Sequence, residues 1–348
     1  MNQSRIGAIH HITAIASSAA ENLVFYEQVL GLRLVKQTVN FDDPFTYHLY
    51  YADAVGSPGT IMTFFPWQGV PAGRAGAGMV VAIAFSAPAQ SMTYWHDRLT
   101  DKGIEVEHDR RFDQPVLKFK DPHGLMLELI GVTSSPSAFP WPQSLVTPGQ
   151  GLLGFHSATV LLNSLNDTQD LLSGIMGMAH YQKEHNRYRF QMREARSPGH
   201  YLDVLVDPQA VRGRSGAGTV HHIAFRAQTD QEQLFWRDRL VQARFQVTEI
   251  IDRKYFKSIY FREPGGVLFE IATDPPGFAV DEPLEKLGMS LKLPSRYEAI
   301  RAEIAKSLPL LRAAEALPGF SASIGQHGNR PYRTGSPPTA ERSRSGQI

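Results

Sequence analysis

Followed for its alternation of apolar and polar positions, the chain falls into strand-length runs separated by single helical stretches. The first group is the clearest. Ala8 to Thr13 is an apolar, β-branched run that reads as a strand, and a polar break follows it. Ser18 with Glu21 makes a capping-box pattern, Leu23, Tyr26 and Leu30 share a helical face, and Gly31 suits the stop. Further strand-like runs, Thr46 to Ala52 and Thr60 to Phe65 among them, complete a βαβββ unit.

That unit recurs. Gly73 to Phe85 (GRAGAGMVVAIAF) returns without a gap at Gly213 to Phe225 (GRSGAGTVHHIAF). Trp95-His96-Asp97-Arg98-Leu99 returns as Trp236-Arg237-Asp238-Arg239-Leu240, and Asp121-Pro122-His123-Gly124 with Glu128 returns as Glu263-Pro264-Gly265-Gly266 with Glu270. A weaker echo joins the opening at His10-His11 to the one at His156-Ser157. Four units follow, at about 7–67, 76–132, 153–208 and 216–273. The expected fold is α+β, with a two-unit domain over 1–135, a Ser/Pro/Gly-rich linker over 136–151 and a second two-unit domain over 152–275. An extension over 276–325 carries a helix capped by Ser295 with Glu298 and running to about Lys306, and 326–348 reads as a disordered tail.

Composition narrows the chemistry. The 348 residues carry a formal net charge of only +1, which asks for neither nucleic acid nor a membrane surface as partner. The chain has no cysteine, which removes disulfides, thiolate metal sites and a thiol nucleophile, so a metal would be held by His, carboxylate or water. His10 and His11 interrupt the apolar run near the N-terminus, no apolar stretch is long enough to span a bilayer, and the cytoplasm is the expected compartment. The glycine-rich stretches at 73–78 and 213–218 precede strands instead of opening helices, so they read as connectors and not as phosphate loops.

Comparing the units shows where a metal could sit. At the first strand the equivalent positions are His11, Ala82, Ser157 and His222; at the last strand, the second and fourth units offer Glu128 and Glu270. A lone His in a strand is more often packed or exposed than a ligand, but two His-His pairs at matching places in repeated units argue otherwise. Two imidazoles and a carboxylate with open positions beside them suit a non-haem iron. The first and fourth units together supply His11, His222 and Glu270. The third and fourth fall one imidazole short unless His156 turns inward, and the first and second also fall one short. Glu128, with no imidazole at Ala82, is expected to face solvent by strand alternation. A hairpin loop at Pro264-Gly265-Gly266 would set Tyr260 across from Glu270, on the same face. Alternation points His10 and His221 away from their neighbours.

The paired βαβββ units, Ile-His-His-Ile-Thr at 9–13, Val-His-His-Ile-Ala-Phe at 220–225 and Gly-Gly-Val-Leu-Phe-Glu-Ile at 265–271 together resemble the vicinal oxygen chelate superfamily, and within it the ring-cleaving dioxygenases of the hydroquinone type. The resemblance implies Fe(II), or Mn(II) in its place, on His11, His222 and Glu270. It implies supporting roles for His10, Thr13, His221, Arg253 and Tyr260, of which Tyr260, Arg253 and His221 have donors and acceptors suited to catalysis. The implied partners are a small aromatic diol and dioxygen, with room for a homo-oligomer. Two rivals stand beside it: a metal-dependent isomerase or thiol transferase resembling glyoxalase I, and a non-catalytic protein that binds aromatic compounds. Because recruiting His156 would need a one-residue slip of a strand, the first and fourth units are expected to share the site.

Overall fold

The computed structural model describes residues 5–133, 139–192 and 198–312; the expected tail at 326–348 and part of the linker lie outside them. Sixteen strands are present among these residues: β1 (Ile9–Ala16), β2 (Arg33–Asn40), β3 (Asp43–Ala52), β4 (Ile61–Pro66), β5 (Met79–Pro88), β6 (Glu107–Arg111), β7 (Gln114–Lys120) and β8 (Met126–Val132) in the N-terminal half, then β9 (Phe155–Leu162), β10 (Ala179–Glu184), β11 (Arg187–Gln191), β12 (Tyr201–Val206), β13 (Thr219–Ala227), β14 (Ile251–Asp252), β15 (Lys257–Arg262) and β16 (Leu268–Thr273). Each of the four expected units is recovered as βαβββ. Its helices are α1 (Ala19–Leu23), α2 (Met92–Thr100), α3 (Asn166–Gln169) and α4 (Asp230–Gln242), with α1 and α3 continuing as π-helical turns over Val24–Val29 and Asp170–Ile175. Ser18 caps α1 by accepting from the Glu21 N–H, and Gly31 takes a φ of 74° after the helix.

The strands form two eight-stranded sheets, ordered β14-β15-β16-β13-β1-β4-β3-β2 and β10-β11-β12-β9-β5-β8-β7-β6. Each sheet therefore takes one unit from each half of the chain: the first with the fourth, and the second with the third. Within a unit the first strand pairs parallel with the last, while the two units of a sheet meet through antiparallel first strands, β1 with β13 and β5 with β9. The central strand β1 is buried at all eight positions, whereas the edge strand β10 is mostly exposed and polar, as an edge must be to avoid further pairing. The two glycine-rich connectors lie against one another, with Arg74 and Arg214 exchanging backbone hydrogen bonds of 2.8 Å. A Cβ on Gly76 would stand 2.4 Å from the Val211 carbonyl oxygen, so the approach needs glycine.

The extension after β16 covers the β2 edge. Lys36 of β2 is fully buried, and its Nζ lies 2.7 Å from Asp281 and 2.5 Å from Glu282 while also donating to the Phe278 carbonyl. The expected helix is present in altered form: a 3-10 turn over Ser295–Ile300 leads into α5 (Arg301–Ser307), and Ser295 makes no capping bond. The Glu298 carboxylate, which a capping box would fold back, is held by Arg301 instead at 2.7 and 2.8 Å. Among the described residues no helix is long and apolar enough to cross a membrane.

Candidate metal centre

The junction of β1 and β13 builds the site through a pair of bulges. On β1, Ile9 pairs with Phe225 and His11 with Ala224, leaving His10 as the extra residue; on β13, Thr13 pairs with His222 and Ala14 with Val220, leaving His221 as the extra one. The bulges overturn the expectation from strand alternation. His10 and His221 do not face away; each brings its Nδ1 to the Nδ1 of the adjacent histidine, at 2.9 Å for His10–His11 and 2.8 Å for His221–His222. A bulge leaves no mark in an unbroken apolar run, which is why periodicity misplaced both side chains.

With Nδ1 engaged, the opposite nitrogens of His11 and His222 point at one place. Their Nε2 atoms are 3.4 Å apart, and they stand 3.4 and 2.9 Å from the same oxygen, Oε2 of Glu270. Glu270 comes from β16, whose parallel register sets it beside Ala224. The three side chains are buried, and their ligand atoms lie within 4.8 Å of one another. Ser258 donates to Oε1 of Glu270 at 2.5 Å, while Oε2 is buried without a hydrogen-bond partner. An ionised oxygen orphaned in the interior is costly unless a cation meets it, and two imidazole nitrogens facing it complete a donor set for a divalent ion. Burial would raise the Glu270 pKa, but His11 and His222 outweigh it and hold the carboxyl well below its usual range. Burial also lowers the pKa of His222, which favours the neutral imidazole a metal requires.

The centre opens into a cavity of about 580 Å³. Tyr260 pairs with Glu270 across β15 and β16, where the hairpin geometry put it. Its hydroxyl accepts from Nε of Arg253 at 3.2 Å, and Nη1 of Arg253 reaches Asp42 at 3.3 Å near the mouth. Burial and the Glu270 charge push the Tyr260 hydroxyl above its ordinary pKa, so it stays protonated near neutrality. His221 lines the same cavity and is an exposed residue. Three aromatic or apolar side chains, Phe41, Phe65 and Phe256, supply flat walls, and the Phe256 ring lies 4.9 Å from that of His11.

Two lining residues on β3 escaped the sequence reading. Tyr50 and His48 are joined at 2.8 Å, His48 continues to Thr63 at 2.8 Å, and Thr63 to Thr13 at 2.9 Å. Thr63 stands where register places the counterpart of Glu270 in the first unit, beside Thr13. The signal for His48 was present only as an interruption in the aromatic run Tyr47 to Tyr51. Glu128 corrects a second expectation: it does not face solvent but is buried in the other sheet, where both its oxygens accept from Arg111 at 2.5 and 2.6 Å.

Comparison with known proteins gives a consistent result. The sequence pattern of the Glyoxalase/Bleomycin resistance protein/Dioxygenase superfamily matches residues 8–129 and 162–271. MhqO of Bacillus subtilis, provisionally named a ring-cleaving dioxygenase, is 47% identical over 300 residues, covering 86% of this chain and 95% of that protein. The chlorohydroquinone/hydroquinone 1,2-dioxygenase of Sphingobium indicum is 33% identical over 320 residues, covering 87% and 96%. A crystal structure of a provisionally assigned dioxygenase from Bacillus subtilis superposes with a TM-score of 0.86 at 44% identity over 90% of this chain and all of the other. Glyoxalase I from Zea mays shares the fold at a TM-score of 0.57 and 13% identity, over 77% of this chain and 92% of that one. With both halves matched and similarity running nearly end to end, the chain belongs to the Glyoxalase/Bleomycin resistance protein/Dioxygenase superfamily.

Proposed function

We propose that this chain is a ring-cleaving dioxygenase that opens a hydroquinone- or catechol-type aromatic diol with dioxygen, using Fe(II), or Mn(II) in its place, on His11, His222 and Glu270. The observation that carries the reading is the buried, unpartnered Oε2 of Glu270 facing two imidazole nitrogens at the floor of a cavity with aromatic walls. A redox-active ion bound there would supply the one-electron chemistry that lets dioxygen react with an aromatic ring. The relatives named above support dioxygen and an aromatic diol as the partners. A compartment that keeps iron ferrous, the cytoplasm, suits such a site.

The protein's own part is positional and protonic. His10 and His221 fix the tautomers of His11 and His222 through the Nδ1 contacts, leaving each Nε2 lone pair toward the ion. Ser258 orients Glu270 in the same way. Tyr260, with its hydroxyl protonated and braced by Arg253, can donate to an oxygen that becomes negative in the reaction, and the Arg253 charge stabilises it. His221, whose Nδ1 accepts from His222 and whose proton therefore sits on Nε2, lines the cavity and can donate to a substrate or dioxygen-derived oxygen. The glyoxalase-like alternative wants a further carboxylate or amide ligand. Thr63 occupies the equivalent place, with its hydroxyl engaged by Thr13 and His48.

Anaerobic reconstitution with Fe(II), followed by oxygen uptake against a panel of hydroquinones and catechols, tests the proposal. Uptake with at least one diol is expected. Uptake with none, or formation of lactoylglutathione from the hemithioacetal, would overturn it.

A further inference from the structure

Behind the metal site lies a second cavity of about 220 Å³, and His221, His222 and Leu268 line both. Its other walls come from the glycine-rich connectors and the β15–β16 turn. Two guanidinium groups, Arg212 and Arg262, border it, and both residues are exposed. Arg262 gives one N–H to the Gly266 carbonyl at 2.9 Å. Among the described residues, neither arginine forms an ion pair with a carboxylate and the Arg212 side chain makes no hydrogen bond.

The nearest acid in sequence is turned away. Glu263 is buried, and its oxygens accept from the N–H groups of Gly265 and Val267 and from the Thr168 hydroxyl. Gly266 keeps the space open: a Cβ there would stand 3.1 Å from Nη2 of Arg212, at a φ of +105° that other residues rarely adopt. The arrangement is a small cationic chamber whose arginines meet no carboxylate among the described residues, and it shares His221, His222 and Leu268 with the metal cavity.

The reaction proposed above changes the charge of its organic partner. When the bond between a hydroxyl-bearing ring carbon and its neighbour breaks, one atom of dioxygen completes a carboxylic acid on the first carbon and the other an aldehyde on the second. The acid then releases its proton to solvent. A neutral diol thus becomes an anion beside the buried negative charge of Glu270, and an arginine fork binds carboxylate in a way that it does not bind a neutral ring.

Resting on the dioxygenase reading, we propose that the second cavity is a carboxylate-binding outlet in which Arg212 and Arg262 receive the ring-opened product. The proposal assigns no part in catalysis to either arginine.

Calorimetric titration of the full-length, metal-free protein with cis,cis-muconate at low salt provides a test that does not depend on turnover. Arg212→Gln and Arg262→Gln should each weaken binding by roughly tenfold or more, the loss of a hydrogen bond to a charged group, and added salt should weaken the native protein's binding. In the iron-loaded enzyme the same variants should relieve product inhibition while leaving the KM for the diol unchanged. Muconate binding as tight in both variants as in the native protein would overturn the outlet, as would a loss seen only with Arg253→Gln, which would put the anion in the metal cavity. If no diol supports oxygen uptake yet muconate binding still depends on Arg212 and Arg262, the carboxylate site stands and the dioxygenase reading falls.

Discussion

Register matches the two sheets residue by residue. His11 corresponds to Ser157, His222 to Ala82, Glu270 to Glu128 and Thr63 to Asp203. On the flanking strands His48 and Tyr50 correspond to Arg187 and Arg189, and Arg253 to Arg111. Even the bulges are shared, since Val81 and His156 are the unpaired residues at the β5–β9 junction. The bulge is therefore a property of the fold and not of the metal site.

What differs is how a buried carboxylate is neutralised. In the sheet of the second and third units, Glu128 is clasped by Arg111, and Asp203 by Arg189 at 2.7 and 2.9 Å, with Arg187 beside it at 3.3 Å. The protein's own cations complete that interior. In the sheet of the first and fourth units, Glu270 faces two imidazoles and Arg253 turns to Tyr260. Among the described residues no arginine reaches Glu270, so on the reading proposed above its charge is met by a bound metal ion, and the duplicated scaffold would become a binding site by withholding its arginines.

The comparison breaks most severely at Glu270. Glu270→Gln should reduce metal content and oxygen uptake to background, because an amide neutralises no charge; metal analysis and an oxygen electrode check this. Next, Tyr260→Phe should fold and retain metal yet lose turnover by on the order of a hundredfold to ten-thousandfold, the usual contribution of a general acid or base; wild-type turnover would reduce Tyr260 to packing.

In the other sheet the same kind of lesion should cost stability and not chemistry. Arg111→Ala leaves Glu128 buried and unpaired, which typically costs about 3–5 kcal/mol. Denaturant unfolding should show that loss, while metal stoichiometry stays that of the native protein. A smaller effect is expected at the supports of the ligands: Ser258→Ala should weaken metal affinity by roughly tenfold to a hundredfold, measured by competition with a chelator.

The smallest expected effect separates the sheets by pH. Burial lowers the pKa of His10, His48, His156 and His222, so the unfolded chain binds more protons than the folded one below the ordinary histidine pKa of about 6.5. The metal-free protein should therefore lose stability as pH falls through and below that value. His156→Gln should lessen the loss, in unfolding titrations at stepped pH, without altering metal content.

Much of this was legible in the sequence because duplication supplies its own alignment. The four units, the pairing of His11 with His222 and Glu270, and Tyr260 opposite Glu270 all follow from repeated strings and hairpin register. The misses share a cause. The facing of His10 and His221 depends on one extra residue per strand, the burial of Glu128 depends on Arg111 two strands away on β6, and the place of His48 depends on contacts with Tyr50 and Thr63. Each involves how strands pair or touch, through a bulge, through Arg111 or through Thr63 of β4, which a period along one strand does not encode.

The central claim is that the metal site is built across the two halves of the chain by the first and fourth units. Metal stoichiometry of full-length His11→Ala and His156→Ala, each reconstituted anaerobically with Fe(II), tests it most directly. The account predicts no bound iron in His11→Ala and native stoichiometry in His156→Ala; iron retained without His11 and lost without His156 would contradict it.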